Sequence, residues 1–129
     1  MAERPLALLV LGMHRSGTSA ITRVLNLLGC ALPGDLLGAN PSNPTGHWES
    51  QRALEINDAL LHGLGRQWDD LRAMPADWLG SDAAARARGL IAEFVRTEAG
   101  SAPLWALKDP RLCLLAPLWI EVQIGRAHV

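Results

Sequence analysis

The chain has 129 residues, 49% of them hydrophobic, and its 12 basic and 13 acidic side chains leave a formal net charge of −1. This length suits one domain with a sizeable core and not a second complete one. The near-neutral balance argues against the broad basic surface of a non-specific nucleic-acid binder, so an anionic ligand has to be met by local charge. Cys30 and Cys113 lie far apart, without metal spacing or a disulfide framework, which predicts a reduced, cytoplasmic setting.

Residues 6–11 are continuously apolar and of strand length, as in a parallel strand buried on both faces. The run is too short to span a bilayer and passes into His14-Arg15 without a small-residue cleavage site, so it is neither membrane span nor signal core. Residues 18–28 follow as a helix, with Ile21, Val24, Leu25 and Leu28 at i, i+3, i+4 and i+7 and Gly29 as the stop.

The next segment, 31–46, carries Pro33, Gly34, Gly38, Pro41, Pro44 and Gly46, and so reads as a long loop inside the domain. A helix is expected over 50–64, with Ala53, Ile56, Leu60 and Leu64 on one stripe, and 67–79 reads as irregular. Ser81 is placed to cap a helix running to about Ala99, with Ala87, Leu90, Ile91 and Phe94 on one face. Residues 104–107 form a second short strand, ending in Lys108-Asp109-Pro110-Arg111, and a last helix starts near Arg111 or Leu112. The order predicts an α/β sandwich with a parallel sheet, in which ligands bind at the carboxyl ends of strands. Both polar motifs fall at such ends.

The string Gly12-Met13-His14-Arg15-Ser16-Gly17-Thr18-Ser19 keeps the frame of a nucleotide P-loop, with Thr18 where that motif has its lysine. Glycines at both ends let the backbone wrap an anion, and the amides opening the next helix point their dipole at it. Arg15 adds a planar fork for phosphate or sulfonate oxygens, and Thr18 and Ser19 add hydroxyl donors. Losing the lysine argues against ordinary ATP or GTP hydrolysis and leaves open a kinase with a displaced lysine.

These residues resemble the 5′-phosphosulfate loop of sulfotransferases that use 3′-phosphoadenosine 5′-phosphosulfate, in the Met-His-Arg-Ser-Gly-Thr-Ser form typical of bacterial members. The absence of Tyr and the single lysine, Lys108, fit a GC-rich bacterial source. The likeness extends to Gly46-His47-Trp48-Glu49 and to Leu107-Lys108-Asp109-Pro110-Arg111-Leu112. It implies a P-loop-like three-layer sandwich, incomplete at its C-terminus, in which Gly12, His14, Arg15, Ser16, Gly17, Thr18, Ser19 and Arg111 hold the donor. The implied reaction moves a sulfonate group to a hydroxyl on a glycan or small metabolite, with no metal, nucleic acid or membrane involved.

In this scheme Glu49 is the first choice and His47 the second for the base that takes the acceptor's proton, since an alcohol is a poor nucleophile until that proton is leaving. Lys108 stabilises charge on the transferring sulfonate or the leaving phosphate. Simpler readings stand beside these: Glu49 as a helix-start residue, His47 as a loop histidine, Trp48 as a core anchor, and Lys108, Asp109 and Arg111 as an ion-pair cluster. His62, Asp69-Asp70, Arg86 and Arg88 read as solvated. The competing functions are an ATP- or GTP-dependent kinase and a non-catalytic nucleotide-binding fragment.

Residues 1–123 read as the N-terminal part of a sulfotransferase domain, stopping before the segment that holds the 3′-phosphate in that family. Residues 124–129 match one reading frame of a common sequencing-adapter oligonucleotide and are expected to be a non-native tail, without a role for Arg126 or His128.

Overall fold

A computed structural model describes residues 5–13, 15–36, 48–99, 102–122 and 127–128. Strand β1 (Leu6–Val10) leads into helix α1 (Thr18–Leu27), followed by α2 (Gln51–Gly63), α3 (Asp82–Phe94), β2 (Leu104–Lys108), α4 (Leu112–Val122) and the two-residue β3 (Ala127–His128). The fold is mixed α/β, and its elements come in the expected order. Within the segment 67–79, expected to be irregular, residues 67–77 are so, and a 3-10 turn occupies Trp78–Gly80. Beyond Phe94 the chain continues through Val95–Ala99 in a wider, π-type turn.

Strands β1 and β2 pair in parallel from Leu6 opposite Leu104 to Val10 opposite Lys108. Residues 127 and 128, within the expected tail, pair with the other edge of β1, giving the order β2-β1-β3. Strand alternation sends Ala7, Leu9, Trp105 and Leu107 to one face. There they join Ile56, Leu60 and Leu61 of α2, Ala84, Ile91 and Phe94 of α3, and Leu115, Leu118 and Trp119 of α4. Phe94 meets the edge of Trp119 with ring centroids 5.7 Å apart.

Helix α2 is capped by Ser50 and α3 by Ser81, whose hydroxyls accept from the amides of Ala53 and Ala84, each at 3.1 Å. These caps occupy first-turn amides that would otherwise lack partners. No helix among the described residues is long and apolar enough to cross a membrane.

Helix α1 buries a different side from the one its apolar stripe predicts. Thr18 and Thr22 are its buried residues, while Ile21, Val24, Leu27 and Leu28 are 53–78% exposed. The Thr22 hydroxyl donates to the Thr18 carbonyl at 2.7 Å, so its polar group is satisfied inside the helix. The preceding loop sets the rotation. Thr18 has to close against Gly12 and Ser19 has to meet Lys108, and the helical period then turns residues 21, 24 and 28 outward.

Candidate functional site

Loop and helix meet at Gly12. A Cβ built there would lie 2.4 Å from Cγ2 of Thr18 and 2.8 Å from Oγ of Ser16, so the first turn of α1 can close over the strand end only above a glycine. Arg15 takes a left-handed backbone conformation, φ 64°, which is uncommon for a residue with a side chain and concentrates at ligand sites. Ser16 Oγ donates to the Met13 carbonyl at 2.6 Å and closes the turn. Gly17, at φ 90°, starts α1 with no side chain capping its first amides, so backbone groups present the positive end of the helix. His14 and His47, both expected at the site, lie outside the described residues.

Because Val10 and Lys108 are register partners, the loop and the second motif leave the same edge of the sheet. The Lys108 Nζ donates to Oε1 of Glu49 at 2.6 Å and to Oγ of Ser19 at 3.2 Å. An ammonium thus reaches the start of α1 from β2, although position 18 itself carries no lysine. Glu49 and Lys108 are 2% and 4% exposed, an ion pair withdrawn from water. Glu49 directly precedes the start of α2 but does not cap it: Ser50 is the cap, and Asp35 accepts from the Arg52 amide at 2.8 Å through its carboxylate and from the Gln51 amide at 3.0 Å through its carbonyl. The Glu49 carboxylate points instead at Lys108. Three clusters far apart in sequence, around Ser19, Glu49 and Lys108, therefore converge.

Arg111 belongs to a second cluster. Its Nε donates to Asp58 at 2.6 Å, and its Nη1 and its own amide donate to Oδ1 of Asp109, each at 3.0 Å. Burial opposes the guanidinium's charge, but the hydrogen bond to Asp58 and the charge of Asp109 outweigh it and hold its pKa above the ordinary value. Asn57 donates to Oδ2 of Asp109 at 2.9 Å and accepts from the Trp119 indole at 2.8 Å, tying the β2–α4 turn to both helices. These contacts match the ion-pair reading of Asp109 and Arg111 and join Arg111 to α2. Asn57 and Asp58 were missed in the sequence, although an asparagine within the apolar stripe of Ala53, Ile56 and Leu60 is the mark of a buried polar contact.

Trp48, half-buried, precedes Glu49 with φ 59°, and the guanidinium of Arg23 lies 5.1 Å from its ring centroid. Arg23 Nη1 donates to Asn26 Oδ1 at 2.7 Å. Among the residues read as solvated, His62 is exposed in the last turn of α2, whereas Asp70 pairs with Arg72 at 2.6 Å and Arg88 with Glu121 at 2.8 Å. Arg88 also donates to the Leu79 carbonyl and so braces α3 against α4 and the turn before it. Among the described residues, no group of three or more His, Cys, Asp or Glu is arranged to hold a metal ion.

Comparison with protein-family models, curated proteins and solved structures found no match.

Proposed function

We propose that the chain forms part of a P-loop-like, three-layer sulfotransferase that moves a sulfonate group from 3′-phosphoadenosine 5′-phosphosulfate to a hydroxyl on a glycan or small metabolite. The observation that carries this reading is the Lys108 ammonium, placed between the Glu49 carboxylate and the Ser19 hydroxyl at the edge where β1 and β2 end. Such a constellation offers an anion cradle, a cation and a base within one cluster.

The residues fit the anionic end of this donor. Gly12 keeps the cradle open, the uncapped start of α1 offers backbone donors, and Arg15 and Ser19 supply charge and a hydroxyl. The donor brings an activated sulfonate whose bond to phosphate is broken in transfer. As the acceptor's O–H proton passes to Glu49, its oxygen bonds to sulfur. The sulfur–oxygen bond to phosphate breaks, and the electron pair stays on adenosine 3′,5′-bisphosphate. Lys108 leaves Glu49 to neutralise that charge, which at the same time frees the carboxylate to act as base.

Titration calorimetry tests this reading. Adenosine 3′,5′-bisphosphate is expected to bind more tightly than ATP with magnesium. The reverse order would overturn the proposal and favour a kinase whose displaced lysine is Lys108.

A further inference from the structure

Glu49 is preceded by a tryptophan in a conformation that tryptophan rarely takes. At φ 59° the Trp48 backbone is left-handed, a state that persists in a bulky residue only where the surroundings impose it. Among the described residues, two contacts bear on this segment. On the C-terminal side, Ser50 is fixed as the cap of α2 and as the bridge partner of Leu36. The other is Arg23 of α1, whose guanidinium lies 5.1 Å from the Trp48 ring centroid and is itself held by Asn26.

We infer that Arg23 is a positioning residue for Glu49: by stacking on Trp48 it holds the left-handed turn that aims the Glu49 carboxylate at Lys108. Arg23 stands one helical turn beyond Ser19, so a single helix carries both the hydroxyl that meets Lys108 and the cation that fixes Trp48. Any shift of α1 moves both sides of the Glu49–Lys108 contact together. A cation suits this task because it can lie over the indole face while donating to Asn26. The inference concerns the geometry of the pair and rests on the sulfotransferase reading only in calling Glu49 a base.

The only lysine of the chain makes the contact measurable without turnover. Acylation of Lys108 in the native protein, followed by peptide mass spectrometry, reads how often the buried ammonium leaves Glu49. Arg23→Ala is expected to raise the acylation rate about two- to fivefold, the range an exposed cation–π contact supports. Arg23→Lys is expected to restore most of the protection. Trp48→Ala should raise the rate similarly, and Arg23→Ala added to it should change nothing further. Glu49→Gln sets the rate for a pair that is lost.

Unchanged acylation in Arg23→Ala, or additive effects of the Arg23 and Trp48 substitutions, would overturn the inference. So would failure of Arg23→Lys to protect, which would point to a general loosening of α1. Binding of adenosine 3′,5′-bisphosphate to the wild-type chain, measured in parallel, keeps the two readings apart. A preference for ATP with magnesium in that measurement counts against the sulfotransferase, and the acylation pattern decides on Arg23.

Discussion

The ammonium of Lys108 lies 2.6 Å from the carboxylate of Glu49, and neither residue is more than 4% exposed. A pair so withdrawn from water stabilises weakly as a pair but penalises the loss of one member, because the survivor is left buried and uncompensated. Lys108→Met is therefore expected to cost about 3–5 kcal/mol. Lys108→Met with Glu49→Leu should cost less than the sum of the two single changes. Urea denaturation of the four proteins checks this, and additive losses would mean that the two groups do not depend on one another.

The glycines of the loop differ in what they tolerate. Gly12→Ala places a methyl group 2.4 Å from the Thr18 side chain, so the loop has to shift and binding of adenosine 3′,5′-bisphosphate should be lost. Gly17→Ala meets no atom within 4 Å and carries only the strain of its φ of 90°, about 1 kcal/mol. Calorimetric binding and thermal melts on the two variants separate a closed cradle from a strained one.

Arg15 and Arg111 are both donor ligands by the sequence pattern, and the structure predicts that they behave differently. Arg15→Ala is expected to weaken bisphosphate binding by about 1.5–3 kcal/mol. Arg111→Ala leaves Asp58 and Asp109 without their cation and should cost about 3 kcal/mol of stability, while the affinity of what remains folded stays close to wild type. An affinity loss in Arg111→Ala as large as that in Arg15→Ala would restore Arg111 to the donor site.

Burial pushes the Cys30 thiol above its ordinary pKa of 9.0, whereas Cys113 is exposed. Native-state alkylation should therefore modify Cys113 first and reach Cys30 only on unfolding. The raised value also sets a sign. Stability gained by keeping this thiol neutral is present below the unfolded-state pKa and is lost as pH rises through the folded one. Cys30→Ala should flatten the decline of stability on the alkaline side, measurable by urea titrations at several pH values.

Much of the architecture was legible because it is written in local patterns. The apolar runs at 6–11 and 104–107, the cap Ser81 and the glycine frame of the loop each state their structure within a few residues. What escaped was decided by partners distant in sequence. The stripe Ile21, Val24 and Leu28 marks a helix correctly but not the side it buries, which follows from Thr18 closing on Gly12 and Ser19 meeting Lys108. Arg88 looked solvated because Glu121, its partner, is 33 residues away. Asn57 and Asp58 sit in a helix whose period is set by its apolar residues, and their partners Asp109 and Arg111 are more than 50 residues away.

The separation of Ser19 from Lys108, 89 residues along the chain, predicts that this site forms late in folding. The loop and α1 are contiguous and can form early, but the ammonium arrives only when β2 docks beside β1, after most of the chain has been gathered into one long closure. A polypeptide still emerging from the ribosome would carry the glycine cradle for some time before its cation, and the cluster would come together only once β2 pairs with β1.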